Sequence, residues 1–411
     1  MNLAIRPIVS ALFRNRTGAI LAGLQMAIAL AVLVNAVYIV KQRVEKIDRP
    51  TGLDIENIFS ISSNGFASDY DHVATLQEDL AYLRGIPGVI GAIVTTAMPL
   101  SGSGNSSTVT PKPGGARSSG YAFEWGDGNV FEVDEQGLNT FGVRLKEGRN
   151  FRPDEIQPTS ATREDRGFPP SLIVSQAYAD KLFPDGHALG RTVYDYLSRP
   201  AKIIGIVDEM YGSWPDLPHP NRIYLLPRLP TGPEALYLVR TEPGRRDAIM
   251  RQAEEHLTAS NPRRAINRVR SLAQVKGESY LRDRNMAIFL VTVTSLLLAI
   301  AALGIFGLAT FNVNTRTRQV GTRRAVGARR LDIVMHFMVE NWLVTSAGIL
   351  LGCALALGVG YWLSQQYELP RLDLYYLVGG VLGLWLIGLL AAWQPARRAS
   401  RISPATATRT I

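Results

Sequence analysis

Four stretches decide the fold: GAILAGLQMAIALAVLVNAVYIV at 18–40, MAIFLVTVTSLLLAIAALGIFGLATF at 286–311, WLVTSAGILLGCALALGVGYWL at 342–363 and LYYLVGGVLGLWLIGLLAAW at 374–393. None contains Asp, Glu, Lys or Arg. Each reaches the roughly 20 residues that a helix needs to cross a bilayer core of about 30 Å. A helix satisfies its own backbone polar groups, so it is the form such a run takes in lipid. A buried helix of a soluble core is the alternative for any one run, but four charge-free runs favour spans. The first could instead be a cleaved signal peptide, with Arg6, Arg14 and Arg16 as its basic region. Its apolar run exceeds the usual 7–15 residues, and no small-residue cleavage site follows.

The net charge of +9 on 411 residues invites a nucleic-acid reading, which its distribution excludes. Residues 1–17 hold three Arg and no acid, 312–336 hold six Arg against Asp332, and the tail after Trp393 holds four Arg and no acid. Residues 41–285 are balanced, with 30 Lys and Arg against 31 Asp and Glu. The basic excess marks the cytoplasmic side. It puts both termini and the second-to-third-span loop inside and 41–285 outside. Lys41, Arg43, Lys46 and Arg49 run against this pattern and are expected to be a solvated helical face. The expected order is a cytoplasmic amphipathic segment at 1–17, spans at 18–40, 286–311, 342–363 and 374–393, a cytoplasmic loop at 312–341 and a cytoplasmic tail at 394–411. The lone Cys353 excludes an intrachain disulfide, so the outer domain must be stable through its own core.

Residues 51–285 read as α/β. Ile55–Ser62 and Val89–Thr96 suit strands flanking a helix at Asp71–Arg84, whose Val73, Leu76, Leu80 and Leu83 recur at helical spacing. Ala235–Arg240, Arg245–Ser260 and Ala265–Arg270 repeat that order, and a helix at Leu272–Arg284 is expected to lead straight into the second span. A split β-α-β subdomain with a mostly-β insertion at about 111–230 follows, with Val193–Tyr196 and Lys202–Val207 its clearest strands. Ser101–Gly120, rich in Gly, Ser and Pro, reads as a disordered loop or as a mobile one that contacts a substrate or partner. The fold class is therefore four transmembrane helices with a large extracytoplasmic α/β domain.

Arg316-Thr317-Arg318-Gln319-Val320-Gly321-Thr322-Arg323-Arg324-Ala325-Val326-Gly327-Ala328, then Asp332-Ile333 and Glu340-Asn341, resembles the signature of the MacB/FtsX-like ABC transporter permeases. Pro395-Ala396-Arg397-Arg398-Ala399 through Pro404 is similar to that family's ending. Leu138–Phe151, Ser171–Gly190 and Ile203–Val207 resemble its periplasmic core domain. Gln319, Thr322 and Thr408 depart from it, and the first two leave a basic helix without an acid.

The resemblance implies a type VII, mechanotransmission permease whose coupling element, Arg316 and Arg318 to Ala328, docks on a separate ATPase dimer. ATP and Mg would belong to that partner, with no cofactor, metal or catalytic residue in this chain. It implies a second permease copy, identical or homologous, and admits a periplasmic adaptor and an outer-membrane channel.

By the residues alone, Gln319–Ala325 can form a short helix ending near Gly327, with Arg323 and Arg324 projecting as charged donors. The alternative is that these arginines only fix topology and bind lipid headgroups. Gly304 and Gly307 in the second span, and Gly348 and Gly352 in the third, are candidate close-packing positions. No G-x-x-x-x-G-K-[ST] loop occurs. His72, His187, His219, His256 and His336 lack metal-ligand spacing, and His336 reads as an interfacial residue. The spans hold no ionisable group except Glu340 at an edge, where a proton or substrate path would need several. The expected function is export of a peptide, drug or lipid-linked substrate by transmitted motion; the alternative is a non-transporting complex of FtsX type that regulates a cell-wall hydrolase.

Overall fold

The computed structural model describes residues 16–114, 128–159, 167–367 and 372–402. The amphipathic segment at Leu3–Phe13, residues 115–120 of the Gly/Ser-rich stretch and the tail from Ser403 lie outside the described residues. The chain divides into two compact units, Arg49–Leu281 and the remainder.

The remainder opens on helix α1 (Arg16–Asp48). Within Arg49–Leu281, β1 (Ile58–Gly65), α2 (His72–Gly85) and β2 (Val89–Thr95) form the first half of a split motif. Asp71 caps α2 by accepting from the Ala74 amide at 3.0 Å, which satisfies one orphan donor of the first turn. The second half comes 140 residues later as β11 (Glu234–Thr241), α5 (Arg246–Ser260) and β12 (Arg264–Ser271). The halves interleave into one antiparallel sheet in the order β12-β1-β11-β2.

Side chains alternate across this sheet. Phe59, Ile61, Ala92, Val94, Tyr237 and Val239 point to one face, which Leu76, Leu80 and Leu83 of α2 and Ile249, Ala253 and Leu257 of α5 cover. Val73, expected on that face, is exposed instead.

A buried ion pair crosses the same layer. Asp79 of α2 meets Arg264 of β12, whose side chain is fully buried, and accepts a hydrogen bond from the Tyr237 hydroxyl. Arg264 also donates to the Leu257 carbonyl at 2.8 Å and the Ser260 hydroxyl at 2.8 Å. Burial and the adjacent Asp79 carboxylate raise the Tyr237 pKa, so its phenol stays protonated as a donor.

Between the halves lies a larger mixed sheet: β3 (Asn105–Ser106), β4 (Asn129–Val133), β5 (Leu145–Gly148), β6 (Gln157–Thr159), β7 (Ser171–Ser175), β8 (Thr192–Tyr194), β9 (Pro200–Val207) and β10 (Ile223–Pro230). β10 runs parallel to β4 and β6, and β7 parallel to β9. Short helices α3 (Gly137–Phe141) and α4 (Gln176–Leu182) accompany them. The described part of Ser101–Gly120 is not a bare loop. Asn105 and Ser106 pair with β4, and Thr110 exchanges backbone bonds with Tyr194 at 2.9 and 2.8 Å.

Helix α6 (Leu272–Ser279) ends at Tyr280 before α7 (Leu281–Thr315) begins, so the expected straight run into the second span is broken there. Helices α8 (Thr317–Ala325), α9 (Arg330–Tyr367) and α10 (Leu374–Ala399) follow. Helices α1, α7, α9 and α10 are each long and apolar enough to cross a membrane.

Gly348 and Gly352 let α9 lie against α1. A Cβ on Gly348 would stand 2.5 Å from the Gly23 carbonyl oxygen, and one on Gly352 3.0 Å from that of Ala27. A Cβ on Gly304 of α7 would run into the Gln25 side chain, whereas Gly307 faces open space and packs on nothing. Polar stitches reinforce the bundle, as expected where lipid removes the hydrophobic drive between helices. Asn35 Nδ2 donates to the Ala31 and Ala356 carbonyls at 2.9 and 3.2 Å, and Gln25 Nε2 to that of Ile300 at 2.9 Å.

The basic cluster after the first span is not a solvated face. Arg43 and Lys46 converge on Asp283 of α7, which is 4% exposed, with Lys46 at 3.0 Å. Lys41 Nζ reaches the Tyr375 hydroxyl at 2.8 Å. The charges that run against the topology pattern are thus largely spent on helix pairing.

Two outcomes follow. Arg264→Ala leaves the Asp79 carboxylate buried and unpaired and should destabilise the outer unit by about 3–5 kcal/mol. Hydrogen exchange of the full chain would register this as lost amide protection across β1 and β12, and the apolar pair Asp79→Leu with Arg264→Met should restore most of it. In the bundle, Gly348→Leu should lower the thermal midpoint of the detergent-solubilised chain sharply, while Gly307→Leu should leave it within a degree or two, about 0–0.5 kcal/mol.

Candidate functional site

Helix α8 is the short basic element between the second and third spans. Its Val320 and Gly321 are buried, and Val320 joins Val313, Ile333, Phe337, Ala396 and Ala399 of α7, α9 and α10 in one apolar cluster. That spacing turns Arg318, Gln319, Thr322, Arg323 and Ala325 outward. Gly327 then takes φ +102° with open space around it. There it ends the helix and aims Val326, 85% exposed, away from the bundle. A left-handed residue past a helix end is the usual place for glycine.

Two of the predicted arginines do not project outward. Arg316 Nη1 donates to Glu340 Oε2 at 2.9 Å, and the Glu340 side chain is 4% exposed. Arg324 Nη1 donates to the Ser400 and Ile402 carbonyls at 3.0 and 2.9 Å, closing the C-terminal end of α10. Cations suit that position because the last carbonyls of a helix are unsatisfied and carry its negative pole. The expectation that Arg323 and Arg324 both present free charge is corrected: Arg323 is exposed, and Arg324 is spent on the fourth helix.

α8 is thereby fastened to α9 by an ion pair, to α10 by Arg324 and to α7 by chain continuity. Glu340 Oε1 and Asn312 Oδ1 face a cavity of about 20 Å³ behind this junction, room for one water molecule. Asn341 Nδ2 donates to the Gly388 carbonyl at 3.0 Å, tying α9 to α10 one residue further on. His336 is half-buried beside this junction, its ring edge-on to Phe337 at 5.7 Å.

The outward surface therefore consists of Arg318, Gln319, Thr322, Arg323, Ala325 and Val326, continued by Arg329, Arg330 and Leu331. Leu331, 72% exposed, was not singled out in the sequence. Its signal is an apolar residue placed after two arginines and before Asp332, which accepts from the Arg329 amide at 2.9 Å. Exposed cations flanking two bare aliphatic side chains form a surface suited to an acidic, apolar-floored groove on another protein. Among the described residues no group of three or more His, Cys, Asp or Glu is placed to hold a metal.

A polytopic bundle of four spans, a split α/β domain inserted after the first, and a basic helix bracketed by the other three define a permease-type transporter component. Comparison with known proteins agrees. Residues 19–256 match the MacB-like periplasmic core domain, more than half of the chain, and residues 291–404 match the FtsX-like permease C-terminal domain. The chain belongs to the MacB/FtsX-like ABC transporter permease family, and is a multi-pass membrane protein with an extracytoplasmic domain.

Among curated relatives it is 23% identical over 294 residues to the uncharacterized ABC transporter permease YvrN of Bacillus subtilis, covering 68% of this chain and 69% of that one. It is 24% identical to the macrolide export ATP-binding/permease protein MacB of Chromobacterium violaceum, covering 78% of this chain and 48% of the relative. The Escherichia coli K12 protein of that name is 24% identical over 66% of this chain and 41% of its own length. The chain thus spans less than half of the MacB relatives. Among solved structures, the periplasmic region of MacB from Actinobacillus actinomycetemcomitans aligns over 55% of this chain and 94% of its own, with 12% identity and a TM-score of 0.34. The extracellular domain of YknZ from Gram-positive bacteria aligns over 51% and 100%, with 16% identity and a TM-score of 0.30.

Glu340→Gln leaves Arg316 half-paired in an apolar setting and should cost about 3–5 kcal/mol at this junction. An exposed pair would cost about 0–1 kcal/mol. Cysteine accessibility at Val320, buried in the native bundle, distinguishes the two: labelling should rise at least tenfold in Glu340→Gln and stay at the native level in Arg323→Gln.

Proposed function

We propose that this chain is the permease subunit of an ABC transporter. In this reading, motion driven by ATP on a separate cytoplasmic ATPase dimer reaches the extracytoplasmic domain through the helix bundle. The observation that carries it is the two-sided character of α8: an outward surface of cations and bare aliphatics, and an inner side fastened to three spans. A lipid-binding topology signal needs the charges but not the buried Glu340 partner or the Arg324 clasp. Ligand for the ATPase groove would be the surface from Arg318 to Ala328, with Leu331 beside it. ATP and Mg would sit on the ATPase, and this chain would perform no catalysis.

The basic excess at 1–17, 312–336 and after Trp393 supports termini and α8 on the cytoplasmic side of a bacterial inner membrane, with 41–285 outside. The names of the MacB relatives, macrolide export proteins, support export; the cargo in this reading would be a peptide, drug or lipid-linked molecule. Function in a pair, with a second copy or a homologous permease, follows the family. Because Gly348 and Gly352 are consumed within the chain, pairing would use faces still open, such as Ile288, Phe289, Leu296 and Leu303 of α7, each more than half exposed.

Arg323→Glu tests the docking surface directly. Charge reversal at a docking site costs several kcal/mol, so ATPase co-purification and permease-stimulated ATP turnover should fall at least tenfold while the chain remains folded and inserted. Arg324→Glu should instead lower the thermal midpoint of the chain itself. Turnover and binding at native levels in Arg323→Glu would reduce α8 to a topology signal.

A further inference from the structure

A cavity of about 830 Å³ opens between the two sheets of the outer unit, within the size range of pockets that bury small ligands. Its floor is the face of the small sheet opposite α2 and α5. Register places Arg270, Ser60, Leu238 and Ile93 in one cross-strand row, and Arg268, Ser62, Leu236 and Thr95 in the next. The same face changes character along its length. Ile58, Leu238 and Ile93 are fully buried in the core shared with the larger sheet, whereas Ser60, Ser62, Arg268 and Arg270 line the cavity. A face that is apolar at one end and polar at the other is not designed only for packing.

The charges are not balanced among themselves. Glu132, deep in the wall, is matched by Arg228 Nη1 at 3.2 Å and the Thr159 hydroxyl at 3.2 Å. Arg268 forms no ion pair among the described residues. Arg270 gives one Nη to Glu278 at 2.9 Å, and its buried Nε has no partner among the described residues. Among the described residues the Thr95 and Thr96 hydroxyls on the far side are also buried without partners, and buried polar groups are usually hydrogen-bonded. Glu234, at the start of β11, lies two strands from Arg268 and forms no ion pair among the described residues. Two strand spacings are about 10 Å, the length of about three extended residues. Among the described residues the lining contains no aromatic ring on which a flat or cyclic ligand would stack.

We propose that this cleft binds a short zwitterionic peptide in extended form, its C-terminal carboxylate on Arg268 and Arg270 and its amino end toward Glu234. Arg forks match carboxylates in geometry and charge, and the Ser and Thr hydroxyls both donate and accept, as a peptide backbone requires. The site concerns binding alone. It stands whether or not α8 couples to an ATPase, and its failure leaves that reading untouched.

The test uses the full chain in lipid nanodiscs, without ATPase or nucleotide. It is exposed to a random tripeptide library with both ends free, to the same library amidated at the C-terminus, and to the same library acetylated at the N-terminus. Retained peptides are measured by mass spectrometry. The free library should be retained at least tenfold above a Ser62→Trp variant that fills the cleft. Amidation, and separately Arg268→Glu at an exposed position that leaves the fold intact, should each remove most of that retention, and acetylation should weaken it. Retention no higher than in Ser62→Trp, equal retention of the amidated library, or native retention by Arg268→Glu would overturn the proposal. So would retention of malto-oligosaccharides in place of the peptides.

Discussion

The Glu340 carboxylate cannot be left alone where it is. It sits at 3% exposure in the side of a membrane helix, and among the described residues the only cation paired with it is Arg316, at the turn between α7 and α8. An unpaired buried charge costs several kcal/mol, more than any surface contact of α8 returns. The pair therefore fixes where the second span ends, where α8 begins and how both meet the third span. Arg324 completes the bracket by closing the last turn of the fourth helix. An element held this way is fastened to the second, third and fourth spans at once.

The outer unit follows the same logic with different parts. A sheet built from two halves separated by more than a hundred residues needs something to specify which halves meet. The apolar layer of Phe59, Ile61, Tyr237 and Val239 supplies most of the energy, at about 1.5–3 kcal/mol per large side chain. Apolar contact is tolerant of partner. The Asp79–Arg264 pair with its Tyr237 donor is not, since it joins the helix of the first half to the last strand of the second.

Spans, the split β-α-β order and the short helix before Gly327 were all legible because each rests on a local pattern: charge-free length, periodicity, or a glycine stop. What stayed hidden depends on partners distant in sequence. Asp79 reads as one more surface acid on an amphipathic helix until Arg264 is placed beside it. Arg43 and Lys46 read as solvated because Asp283 is 240 and 237 residues away. Arg324 is indistinguishable from Arg323 in the motif, yet a 100° step around α8 gives one to solvent and the other to the α10 carbonyls. Gly348 and Gly307 sit in equally plausible small-residue runs, and only the proximity of α1 separates the one that packs from the one that does not. The cleft was invisible for the same reason, since its floor is assembled from four strands drawn from both ends of the domain.

In the proposed function, motion of α8 would reach the bundle through the Arg316–Glu340 pair. Spin labels at Ala325 and at Glu254, each measured between the two permeases of an assembled complex with Cys353 replaced by Ser, report the two ends of that path. On trapping ATP, both label pairs should shift in the native sequence. With Glu340→Gln, the Ala325 pair should still shift while the Glu254 pair stays at its nucleotide-free distance. A full shift of the Glu254 pair in Glu340→Gln would contradict transmission through this ion pair.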